Sequence, residues 1–324
     1  DEIYLYRDEI ENGVSAGRFD GILSHMTYKL MEMHTVVGDL DIWNDQPEPG
    51  VPLFVPAGYW NVGHFGAPLT PLPDSTLLVY AVAENHPLDL QQGDIVLGYD
   101  GVMYKDLYPE LLDAQLPWKG GQRWGTTEES MTHALLTGAG MNWHLFDTLD
   151  VIKYATGDTV HLATSGLVGQ EMSIYAMESI DVPGVPRPDW AIESDVSWGI
   201  VDGTQVGYIY VGSWVSSWDV GADFSAAVDS LMNNYETEGL IIDFRMQDGG
   251  SHGQADAGYG QLFGVDQHHI GFDRRIEGED HYSMEPSSCA PDPLNVLRGW
   301  YEKPIAVLLG PHCGSAGDYN ALRL

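Results

Sequence analysis

At 324 residues, with 44% hydrophobic and 11% aromatic positions, the chain has material for two or three folded domains and lacks the polar bias of a disordered one. Fourteen lysines and arginines stand against 48 aspartates and glutamates, a formal net charge of -34. Such a surface repels phosphate backbones and anionic lipid, so nucleic-acid and membrane-surface partners are excluded as expectations, and the charge suits a salty medium.

In chain order, residues 1 to about 45 read as helical. Ile22, Leu23, Met26, Leu30, Met33 and Val37 recur at three- and four-residue spacing, the mark of one buried helical face. A proline- and glycine-rich stretch from Gln46 to Pro73 then breaks the pattern. From Ser75 the signal is short strands: Leu77 to Val82, then Gly93 to Gly101 closed by the Asp100-Gly101 turn, and later Gly157 to Thr164. Between them Val102 to about Trp143, rich in Trp, Gly and Leu, reads as a partly helical insertion in a small β domain.

A proline-rich connection follows over residues 179–206, and beyond it strands and helices alternate. Val206 to Val211 and Gly239 to Phe244 are apolar strands, Phe224 to Asn234 is an amphipathic helix, and Pro304 to Gly310 is a third strand. Strands apolar on both faces and separated by helices predict a mostly parallel sheet covered on both sides. No run approaches the roughly 18 apolar residues of a membrane span. The two cysteines, Cys289 and Cys313, are too few for a disulfide framework or a thiolate zinc site, and either one bridge or two free thiols is open. The absence of a leader before Asp1 makes a secreted protein one in mature form, and the ending at Arg323-Leu324 reads as mid-helix, an incomplete core.

Three features bear chemistry. Gly314-Ser315-Ala316-Gly317-Asp318 joins a strand to a helix and places a hydroxyl at a helix N-terminus, where free amides and the dipole favour a nucleophile and its oxyanion. On its own the motif reads as a plain N-cap serine, since Cys313 stands where α/β-hydrolases have the first glycine of Gly-x-Ser-x-Gly. Asp243 to Gly250 ends a buried strand in paired glycines, which expose amides at the carboxyl end of the sheet. Pro87 to Gly101 leads a Gly-Asp turn into an apolar strand and an Asp-Gly turn, the pattern by which a PDZ domain builds part of its barrel. His268-His269 with Asp266 and Asp273 has no third ligand at suitable spacing and reads as surface loop, as does Glu277 to Asp280. Trp190, Trp198, Trp214 and Trp218 read as packing residues.

In this order the three features resemble the C-terminal processing protease and tricorn family of serine peptidases, from about Gly21 onward. The most specific stretches are Gly207-Tyr208-Ile209, Gly239 to Arg245 with Gly249-Gly250, and Lys303 to Leu308 with Gly314 to Asp318. The resemblance implies a multi-domain α/β chain: a helical segment and irregular loop over 1–70, a PDZ-like β domain with an insertion over 71–178, and a crotonase/ClpP-like α/β catalytic core over 179–324. It implies Ser315 as nucleophile, with Gly249, Gly250 and Ala316 supplying oxyanion amides. Relatives use either a lysine after the serine or a histidine from the N-terminal segment. No lysine follows Ser315, so the resemblance points to His34 in Glu32-Met33-His34-Thr35 as base, with His25 as the alternative. Glu32 stands where relatives more often have Asp.

The expected function is therefore a periplasmic or extracellular serine endopeptidase acting on peptides or unfolded proteins held by the PDZ-like domain, with no metal or organic cofactor and no membrane insertion. A non-catalytic binding protein on the same fold, or an acyl hydrolase, is the alternative.

Overall fold

A computed structural model describes residues 2–31, 52–58, 63–119, 127–170, 172, 174, 180–188, 195–215, 219–264, 273–280, 282–286 and 300–324. The chain forms two compact units, Asp1–Ser179 and Ile180–Leu324.

The first unit opens with α1 (Glu2–Leu5), α2 (Arg7–Glu11) and α3 (Ala16–Tyr28). Ser15 caps α3 by accepting a hydrogen bond from the Arg18 amide. Ile22 is fully buried on this helix, and the buried Asp20 accepts from the Trp118 amide at 3.0 Å. The predicted apolar face does not continue to Leu30. The helix ends at Tyr28, Met31 turns into positive φ, and Leu30 is exposed, because a chain leaving the helical path loses the 3.6-residue period. Met33, Val37 and residues 46–51 and 59–62 of the Gln46–Pro73 stretch lie outside the described residues.

The β part of this unit is one antiparallel sheet of β1 (Leu69–Pro71), β2 (Leu77–Val79), β3 (Ile95–Tyr99), β4 (Val102–Met103), β5 (Thr148–Ile152) and β6 (Thr159–Ala163). Its order is β1-β2-β3-β5-β6, with β4 folding back on β3. Asp100 and Gly101 both have positive φ and close the β3–β4 hairpin in two residues, the backbone that an Asp-Gly pair favours. The expected insertion supplies α4 (Tyr104–Asp113) and α5 (Glu128–Thr137), the latter started by a Thr127–Ser130 capping box. Phe65, Leu77, Val79, Val96, Leu149 and Val151 form the sheet's core, while Phe54, Trp118 and Leu135 make a second cluster on which Tyr28 packs.

The second unit holds β7 (Val196–Ile200), β8 (Val206–Val211), α6 (Val220–Asn233), β9 (Gly239–Asp243), α7 (Asp256–Tyr259), β10 (Asp273–Arg275), β11 (Met284–Pro286), β12 (Ile305–Leu308) and α8 (Ala316–Arg323). β12, β9 and β8 run parallel and β7 is antiparallel to β8, giving the order β12-β9-β8-β7. The mostly parallel sheet read from the apolar runs is thus present. Cover on both faces is incomplete at β12, an end strand whose Ala306 is exposed. The carboxyl ends of β8, β9 and β12 and the start of β7 share one end of the sheet, where an open α/β sheet places its chemistry.

This unit's core is apolar and aromatic. Trp214, Phe224, Phe244 and Tyr259 are fully buried, and Phe224 meets Trp214 and Tyr259 edge-on at 5.3 and 5.7 Å between ring centroids. Trp198 packs partly buried against the cluster, while Trp190 and Trp218 lie outside the described residues. Phe224→Ala is expected to lower stability by about 3–5 kcal/mol, read as a reduced urea midpoint. A wild-type midpoint would contradict this packing.

Candidate active site

The serine and the paired glycines of the sequence reading meet at the carboxyl end of this sheet. Four residues after β9, the Gly314 amide donates to the Gln247 carbonyl at 3.1 Å and ties the Ser315 turn to the β9 loop. A Cβ placed on Gly249 would stand 2.6 Å from the Ser315 Cβ and 3.1 Å from its Oγ, so only a glycine lets the serine lie against this backbone. Gly249 and Gly250 have φ of 106° and 122°, a region L side chains rarely adopt.

Ser315 itself has φ 53° and ψ -125°. A non-glycine residue held there stores on the order of 1–3 kcal/mol of strain, and such residues cluster at functional sites. It occupies the N-cap position of α8, yet its side chain makes no capping hydrogen bond. The N-cap alternative therefore fails at the one interaction that defines it. Asp318 in the first turn of α8 favours that end's dipole, although burial raises its pKa. Burial, with Asp318 and Asp243 nearby, pushes the Cys313 thiol up to about 12, so this free cysteine stays protonated and is a poor rival nucleophile. Cys289 lies outside the described residues.

Amide donors around Ser315 are not equivalent. The Gly249 amide donates to Oε1 of Gln247, whereas the Gly250 and Ala316 amides make no hydrogen bond among the described residues. Gln247 is fully buried, and Gly317 is small enough to pass its side chain, a Cβ there lying 3.0 Å from Gln247 Cγ. Nothing in the sequence had singled out Gln247; its position between the strand end and the glycine pair was the available signal. The loop is anchored on its other side as well. The Trp214 amide donates to the Gly249 carbonyl at 2.6 Å and the Ser251 amide to the Trp214 carbonyl at 2.8 Å.

Beneath the loop, fully buried Asp243 accepts from the Tyr208 hydroxyl, from the Arg245 amide at 2.9 Å and from the Arg245 guanidinium at 2.6 Å. Hydrogen bonding to Asp243 raises the Arg245 pKa, and burial raises that of Tyr208. This network fixes where the strand ends and the loop begins.

His34 lies outside the described residues, and His25 stands in the last turn of α3 in the first unit, its ring 6.5 Å from that of Tyr28. His268, His269 and Asp266 are likewise outside, and exposed Asp273 starts β10; among the described residues no group of three ligating side chains could hold a metal. Glu277 to Asp280 form the exposed turn between β10 and β11. Among the described residues no helix is long and apolar enough to cross a membrane.

A strained serine at a strand-to-helix turn, backed by glycine amides on a mostly parallel sheet, is the architecture of an α/β serine hydrolase. Residues 205–324, the greater part of the second unit, match the model of peptidase family S41. Among solved structures it is similar to mature CPAF, with 14% identity and a TM-score of 0.58 over 100% of this chain and 75% of that one. Mature CPAF complexed with lactacystin gives 14% identity and 0.54 over 93% and 71%. These two likenesses concern the fold, and agree with the multi-domain α/β class read from the sequence. No curated protein matches the chain in sequence.

Proposed function

We propose that the protein is an endopeptidase in which Ser315 attacks the scissile carbonyl. The observation that carries this reading is the strained, uncapped Ser315 lying against the Gly249 backbone. Ser315 Oγ bonds to the carbonyl carbon while its proton passes to His34, with His25 as the alternative base. The carbonyl oxygen becomes an oxyanion held by the open amides of Gly250 and Ala316; Gly249 joins them only if Gln247 releases its amide. The imidazolium then protonates the leaving amine, and water releases the acyl-enzyme by the reverse sequence. None of these steps calls on a metal or organic cofactor.

Residues 71–178 serve in this reading as a PDZ-like module that takes the extended end of a peptide or unfolded protein. The support is a small antiparallel sheet whose end strand β6 has exposed and half-buried residues, an edge suited to strand addition. A periplasmic or extracellular setting suits the charge of -34.

A fluorophosphonate probe tests the reading directly. One covalent adduct is expected, mapped by peptide mass spectrometry to the segment containing Ser315, with labelling lost in His34→Ala and kept in His25→Ala. An adduct elsewhere, or none, would sink the nucleophile. The opposite pattern in the two histidine variants would transfer the base to His25.

A further inference from the structure

The start of β7 carries a buried acid with no assigned role. Asp195 is 6% exposed, and its Oδ2 is buried with no hydrogen-bond partner among the described residues. Beside it the buried Tyr210 hydroxyl is also without a hydrogen bond. Both lie around Gly212: the Gly212 amide donates to the Asp195 carbonyl at 2.8 Å, and a Cβ on Gly212 would stand 3.1 Å from the Tyr210 hydroxyl. The Gly212 carbonyl in turn accepts from the Asp248 amide at 3.1 Å, and Asp248 immediately precedes the glycine pair. Asp195 is thereby connected through two backbone hydrogen bonds to the loop that presents the oxyanion donors.

Burial, and after it the charge of Asp248, disfavours ionisation of this acid. Tyr208 and Tyr210 come from β8; Asp243, Arg245 and Asp248 come from β9 and the loop after it. Asp243 is bonded to Arg245 and Tyr208, and Asp248 is the charge that acts on Asp195. A second carboxylate there would be unsolvated and repelled, and the soft response is to displace the Asp248–Gly250 loop.

We propose that Asp195 is held as a neutral carboxylic acid and serves as a positioning residue, keeping the Asp248–Gly250 loop, through Gly212, in the conformation that leaves the Gly250 amide open. This rests on the reading of Ser315 as nucleophile. Burial, with Asp248 second, raises the Asp195 pKa from 3.8 to about 7. The native state therefore holds this proton more tightly than the unfolded chain. The stability it contributes is full below 3.8 and lost as pH rises through about 7.

The test compares fluorophosphonate labelling rates of wild type and Asp195→Asn across pH, taken as a ratio so that titration of the base cancels. The ratio is expected to be flat on the acid side and to fall by about tenfold per pH unit once Asp195 ionises. The Tm of Asp195→Asn relative to wild type should rise between pH 3.8 and about 7. A ratio that stays flat through neutrality overturns the proposal. Should the variant not fold, infrared difference spectra of wild type and Asp248→Asn decide instead. A carboxylic-acid band titrating near 7 in wild type should titrate at lower pH once the Asp248 charge is gone, and its absence from wild type is equally fatal. Ser315→Ala run in parallel separates the two readings. Continued labelling there removes the nucleophile, whereas loss of labelling with a flat ratio removes only the role of Asp195.

Discussion

Ser315→Ala is expected to lower kcat/KM on a peptide substrate by at least ~10³-fold, because the covalent step disappears while the oxyanion donors and the binding surface remain. Stability should change by less than about 1 kcal/mol, since the hydroxyl caps nothing in α8 and alanine keeps the same Cβ in the same strained backbone. Steady-state hydrolysis of a fluorogenic peptide, paired with thermal unfolding, reads both quantities. Activity within tenfold of wild type would mean that another residue performs the attack. A large fall in Tm would mean that the serine is a structural cap after all.

Gly249→Ala should be nearly as damaging, by a different route. The new methyl would lie 2.6 Å from the Ser315 Cβ, and neither partner is a flexible side-chain end that can swing aside. The backbone must also hold an L residue at φ 106°, at a cost of about 1–3 kcal/mol. Together these should displace the serine from its donors and reduce the labelling rate by about 10²-fold or more. Gly157→Ala is the control. Gly157 also has positive φ, at 74°, but a Cβ there meets nothing within 4 Å, so the variant should lose only about 1 kcal/mol and no labelling. Equal loss of labelling in both would show that strain in general, and not the Gly249–Ser315 approach, governs the site.

The centre of the second unit was legible in the sequence because β8 and β9 are buried over most of their length. Val206 to Val211 is an uninterrupted strand with one half-buried residue, and a run of that kind states its own boundaries. The Asp100-Gly101 hairpin was legible for a local reason, since two consecutive positive-φ residues ask for that dipeptide. Leu30 was misread because periodicity cannot see where a helix stops, and no glycine or proline marks the end after Tyr28. At the site, the sequence order placed Ser315 after β12 and the glycines after β9. What it could not contain was the distance between them, which depends on β12 pairing with β9 across some sixty residues. Gln247 and Asp195 were hidden for the same reason: a buried glutamine and a buried aspartate look like loop residues until the strands are laid side by side. The two histidines offered as base were distinguished by resemblance alone, and composition carries no information about which reaches the serine.

The backbone at residue 315 also bears on how this site can change over generations. At φ 53° and ψ -125° the amino acid that the main chain would prefer is glycine, a replacement that also deletes the hydroxyl. Selection for a sturdier fold and selection for turnover therefore pull in opposite directions at a single codon. A lineage released from the need to cut peptides would gain stability by drifting to glycine there, and its sheet, loops and substrate-holding surfaces would survive the change.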